Sequence, residues 1–121
     1  MKPEAAFRMA CIHWLKLRFG RHFWSVKILG GLGQRPGIPD DLCCIRGRFF
    51  GFEWKDPGRK PRIGPKQALE IDSIRQAGGQ AFVIARFDDL EEAVRDVEPV
   101  QLNMPQKASK LALKSKNFSK T

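Results

Sequence analysis

Two apolar runs, DLCCI (41–45) and RFFGFEWK (48–55), are held apart by only Arg46 and Gly47. Aromatic and apolar runs joined by two turn residues predict an antiparallel hairpin, and no other stretch limits the fold of this chain so tightly. With Arg46-Gly47 as the turn, opposed residues carry numbers that sum to 93: Ile45 faces Arg48, Cys43 faces Phe50, Asp41 faces Phe52 and Asp40 faces Glu53. Opposed side chains have Cβ atoms about 4.5–5.5 Å apart, and like charges placed there destabilise a sheet. Alternation puts Lys55 on the face of Glu53 and Trp54 on the other. Two carboxylates and an ammonium are thus expected at one strand end.

The flanking sequence supplies the other elements. Phe7, Ala10, Cys11, Trp14 and Leu15 form an apolar stripe that predicts a helix over Glu4 to Phe19, with Pro3 at its start and Gly20 beyond its end. His22 to Ile28 reads as a strand, GGLGQRPG as a loop, and DPGRKPRIGP as a basic loop. PKQALEIDSIRQA (65–77) predicts a second helix stopped by Gly78-Gly79, QAFVIAR (80–86) a strand, and Asp88-Asp89 the cap of a last helix running to about Val97. The order α, β, β, β, α, β, α implies an α/β fold, a mixed central sheet flanked by helices.

With 121 residues, 42% of them hydrophobic, the chain suits one domain, expected over 1–98. Residues 99–121 carry five lysines and no acid, which predicts a disordered basic tail. No apolar run reaches eighteen residues, so neither a membrane span nor a signal peptide is expected and a cytoplasmic location is. Cys11, Cys43 and Cys44 read as reduced core thiols, and Trp14, Trp24, Phe49, Phe50 and Phe52 as core aromatics. Net charge is +9 and segregated: +5 over each of residues 1–28, 46–66 and 101–121, but −5 over 67–100. Such clustering suits a surface that meets a polyanion, DNA among them, although a solvated basic surface is the plainer alternative.

A solvated strand edge would explain Lys55 beside one acid, but not two opposed acids bordering an apolar run, where unpaired charge is costly. A divalent cation would remove the conflict, and hard carboxylate oxygens suit Mg²⁺ or Mn²⁺. In its order RPGIPD, FFGFEWK, GPKQ and AGGQAFVI, the chain resembles the VRR-NUC (virus-type replication-repair nuclease) domain of the PD-(D/E)XK nuclease superfamily, over roughly residues 4–94. That resemblance implies a restriction-endonuclease-like αβββαβ core and metal-dependent phosphodiester hydrolysis. It also implies Asp40, Glu53 and the Trp54 carbonyl as metal ligands, Lys55 as the residue that orients or activates water, and Gln67 as the family's helix glutamine. Gln67, Ile71 and Ile74 share one helix face, so the glutamine can approach the site.

Glu4 matches an acid that often opens the family's first helix, and serves equally as an ordinary first-turn acid. Asp41 is either a rim residue or, with an extra turn residue, the true ligand. Gly64 stands where the family often has a serine, which weakens the expected cap of the second helix. Arg35, Arg59, Lys60, Arg62 and Lys66 stand where a phosphate backbone would pass. The expected activity is an endonuclease on branched DNA, resembling a Holliday-junction resolvase and working as a homodimer. The rivals are a non-catalytic nucleic-acid-binding module and a duplex nickase or restriction-type nuclease.

Overall fold

In the computed structural model, which describes residues 1–101, the hairpin forms in the expected register. Strands β2 (Asp41–Ile45) and β3 (Arg48–Trp54) pair Ile45 with Arg48 and continue to Asp41 with Phe52. Arg46 and Gly47 take φ values of 50° and 81°. A tight hairpin turn with both central residues at positive φ matches the twist of the strands, and glycine suits its second position.

Around this hairpin lie α1 (Pro3–Phe19), a 3₁₀ turn (Gly20–His22), β1 (Phe23–Lys27), α2 (Pro65–Gln76), β4 (Gln80–Ile84) and α3 (Phe87–Ala93). The sheet order is β1-β2-β3-β4, with the first three strands antiparallel and β4 parallel to β3. A parallel partner needs a crossover, and α2 supplies it. The result is a four-stranded mixed open sheet with helices on its faces. Among the described residues, no helix is long and apolar enough to cross a membrane.

From Phe50 to Trp54, strand β3 is covered on both sides. Phe50, Phe52 and Trp54 meet Cys11, Leu15 and Phe19 of α1 and Leu90 and Val94 at α3 in the buried core. Each such side chain contributes roughly 1.5–3 kcal/mol by leaving water, so this face carries most of the stability. On the other face Ile71 of α2 is buried, and a Cβ at Gly51 would lie 3.3 Å from Ile74 Cδ1 and 3.0 Å from Pro39 Cγ. Gly51 is what allows that close approach. The loop before β2 is pinned too: a Cβ at Gly37 would lie 2.5 Å from the Lys66 carbonyl oxygen.

Several expectations are corrected. Helix α1 is rotated from the expected stripe: Ala10 is exposed, while Ile12 and Phe19 are buried and Arg8 is half-buried. Helix α3 ends at Ala93, although Val94 and Val97 still point into the core. Its N-cap is Arg86, and Asp89 caps from inside the first turn, its Oδ2 accepting the Ala85 and Arg86 N–H groups at 2.9 and 3.0 Å. Trp24 and Phe49 are 61% and 42% exposed, and Cys44 is exposed as well. The register aligns Trp24, Cys44 and Phe49 in one row, at the end of the sheet face that α2 leaves open. The expected tail lies outside the described residues beyond Gln101. Its first residues are tied to the body, for Val100 N–H donates to Arg18 O at 2.8 Å and Arg46 Nη2 to Pro99 O at 3.4 Å.

Candidate functional site

Alternation along β3 turns Glu53 to the α2 face, where it is 4% exposed. Its Oε2 accepts a hydrogen bond from Gln67 Nε2 at 2.8 Å and lies 3.5 Å from Lys55 Nζ. Gln67 Oε1 accepts the Gly64 N–H at 3.1 Å and stands 3.5 Å from the same Nζ. Gln67 is the third residue of α2, so one side chain closes the open helix end and holds the strand carboxylate. Gly64, the N-cap, has no side chain with which to cap the helix itself.

Asp40 stands one step beyond the last ladder pair, on the β2 side of Glu53. Its backbone carbonyl accepts the Ile28 N–H at 2.8 Å, and its Oδ2 accepts the Trp54 N–H at 2.9 Å. Asp40 therefore extends the hairpin through its side chain. The Lys55 N–H instead goes to Ile84 O of β4, at 2.9 Å. An extended strand turns the N–H and C=O of one residue toward the same edge, so the Trp54 carbonyl faces the Asp40 side.

The electrostatics follow from burial and proximity. Burial pushes the Glu53 carboxyl up to about 7; repulsion from Asp40 adds to the rise, Lys55 opposes it, and Glu4 adds a smaller push. Asp40 is raised by burial, against the pull of the Trp54 N–H. Among the described residues each of these carboxylates keeps one oxygen with no protein donor.

Asp41 is of a different kind. It is fully buried, and its oxygens accept Arg8 Nε at 2.6 Å, Arg8 Nη2 at 2.9 Å and the Trp54 indole N–H at 2.7 Å. It is no rim residue, and both its oxygens are engaged by protein donors. Arg8 was missed by the pattern of apolar residues. The signal was its spacing of three, four and seven from Cys11, Ile12 and Leu15, which puts a cation on the inward stripe where only a buried acid can satisfy it.

Glu4 is exposed on the first turn of α1 and borders two grooves. One runs past Arg8, Lys27, Asp40 and Trp54; the other past Lys55, Arg59, Lys60 and Arg62, and Lys2 lies in both. Asp40 thus lines the first groove and Lys55 the second, Glu4 borders both, and Glu53 lines neither. Arg35 and Lys66 line neither: Arg35 holds Glu70 of α2 through Nε at 2.5 Å and Nη2 at 3.1 Å, and Lys66 is exposed. Arg59 stands 3.8 Å from Asp56.

Among the described residues, no three or more His, Cys, Asp or Glu side chains form a group able to hold a metal ion. The oxygens available at this strand end are those of two carboxylates, the Trp54 carbonyl and, at the groove, Glu4. This hard donor set still fits Mg²⁺, which keeps several waters and is commonly held by one or two carboxylates. No family model and no curated protein matches the chain.

Proposed function

We propose that this chain is a divalent-metal-dependent endonuclease that hydrolyses DNA phosphodiester bonds, on a restriction-endonuclease-like core and with branched DNA as its preferred substrate. The observation that carries this reading is the convergence of Glu53, Lys55 and Gln67 within 2.8–3.5 Å, beside Asp40, at the end of β3. Asp40, Glu53 and the Trp54 carbonyl, with Glu4 nearby, would hold Mg²⁺ or Mn²⁺. When bound, the ion supplies Lewis acidity toward the phosphate and lowers the pKa of water. Lys55 orients the attacking water and offsets developing negative charge. Gln67 holds the Glu53 carboxylate, and Arg59, Lys60 and Arg62 guide the phosphate backbone. One domain carries one such site, so paired cuts in a symmetric junction call for a homodimer.

The basic residues that line the two grooves, Lys2, Lys27, Arg59, Lys60 and Arg62, favour a second reading, a non-catalytic nucleic-acid-binding module in which the acids are structural. A panel of four-way junction, flap, nicked and linear duplex DNA, incubated with protein and Mn²⁺ or Mg²⁺, separates the readings. The nuclease reading expects junction cleavage that Glu53→Ala abolishes. Binding without cleavage, or equal cleavage by Glu53→Ala, would overturn it; preferential cutting of linear duplex would redirect it to a nickase or restriction-type enzyme.

A further inference from the structure

We propose that Arg8 is a positioning residue of this site, acting through Asp41 and Trp54 on the strand end that carries Asp40 and Glu53. The role rests on the metal-site reading above. Arg8 Nε and Nη2 grip both oxygens of Asp41 at 2.6 and 2.9 Å. Asp41 Oδ2 also accepts the Trp54 indole N–H at 2.7 Å, and the Trp54 backbone N–H donates to Asp40 Oδ2 at 2.9 Å. One continuous chain of hydrogen bonds therefore runs from helix α1 to the first candidate ligand. It also fixes the residue whose carbonyl is another.

The planar guanidinium matters because two parallel bonds fix orientation as well as distance, which a lysine cannot reproduce. Phe7, the neighbour of Arg8, meets the Trp54 ring edge-on at 6.3 Å, so two consecutive helix residues address the same tryptophan. Glu4 lies one turn earlier on the same helix, and the grip on Asp41 therefore also sets where that acid stands along the groove. Asp40 and Asp41 divide the work: one keeps an oxygen for a ligand, while the other spends its oxygens on holding the strand end in place.

A buried ion pair that served stability alone could be exchanged for apolar side chains without harm to the site. The test is Mn²⁺ titration calorimetry with thermal melting on the full chain, for wild type, Arg8→Lys, Arg8→Met and the double variant Arg8→Met/Asp41→Leu. Arg8→Met is expected to weaken Mn²⁺ binding by about tenfold or more, the usual scale when a group that orients a metal ligand is lost. Arg8→Lys should fall between it and wild type. The double variant regains melting temperature relative to Arg8→Met, yet its Mn²⁺ affinity stays low. A double variant with wild-type Mn²⁺ affinity would overturn the positioning role and leave the metal site standing. Wild-type protein that binds no Mn²⁺ would instead overturn the metal-site reading, and this role with it.

Discussion

Gln67 spans from helix to strand: its Nε2 holds Glu53 Oε2 at 2.8 Å while its Oε1 caps the Gly64 N–H at 3.1 Å. Gln67→Ala removes both bonds together. The expected cost is about 1–2 kcal/mol in urea unfolding, from one exposed cap and one bond to a buried carboxylate. Gln67→Glu keeps a cap acceptor but places a second carboxylate against Glu53, and should unfold more readily than Gln67→Ala at pH 8. Equal stabilities of the two variants would count against the Glu53 contact.

Glu53 makes stability depend on pH in an unusual direction. The folded chain holds this proton up to about pH 7, whereas the unfolded chain releases it near the ordinary value of 4.5. Between these limits the folded state binds more protons, so the contribution is fully present below pH 4.5 and is lost as pH rises through 7. At about 1.4 kcal/mol per pH unit, metal-free protein should lose roughly 2–3 kcal/mol relative to Glu53→Gln between pH 5 and 7.5. Parallel profiles for the two proteins in chelator would refute this. Added Mn²⁺ should raise the melting temperature more at pH 8 than at pH 6, because ligation needs the carboxylate.

The basic residues are not equivalent. Replacing Arg59, Lys60 and Arg62 together by alanine should weaken DNA binding and lower the slope of log affinity against log salt by about 2–3, near one per phosphate contact. Arg35→Ala should leave affinity within about twofold, because its guanidinium is committed to Glu70 and it lines neither groove. A salt titration by fluorescence anisotropy reads both effects. A larger loss from Arg35→Ala than from the triple variant would contradict the groove assignment.

Gly37 and Gly30 both have positive φ, 93° and 80°, but only Gly37 backs onto another part of the chain. Gly30→Ala should cost about 1 kcal/mol through its left-handed backbone alone. Gly37→Ala should cost about 2 kcal/mol more, because its Cβ would collide with the Lys66 carbonyl oxygen, and helix α2 would have to shift. Chemical unfolding of the two variants compares them directly.

What could be read from the sequence was what depends on neighbours along the chain. Arg46-Gly47 fixed the hairpin register because a two-residue turn leaves little freedom, and that register brought Asp40, Glu53 and Lys55 to one strand end. Gln67 was reachable because its helix face was already set by Ile71 and Ile74. What escaped depends on which elements cover which. Trp24 and Phe49 have the composition of core residues, but Trp24 lies on the edge strand β1 and Phe49 near the start of β3, where α2 leaves their row open. Arg8 is another such case, because the acid it grips lies 33 residues away in the chain. Val94 and Val97 keep pointing inward after α3 has stopped, so the apolar period outlasts the hydrogen bonding and hides the helix end.

The hairpin also bears on the order in which the molecule is built. Asp40 and Glu53 lie thirteen positions apart across one tight turn, so they meet when the hairpin closes, an event of about 1–10 μs. Gln67 and β4 come later in sequence and close longer loops. A nascent hairpin must therefore tolerate its two acids before their helix partner arrives. Metal-free chain should refold faster at pH 5 than at pH 8, and stopped-flow refolding of Glu53→Gln should erase most of that difference. The pair proposed to hold a cation in the finished protein is then a kinetic toll on making it.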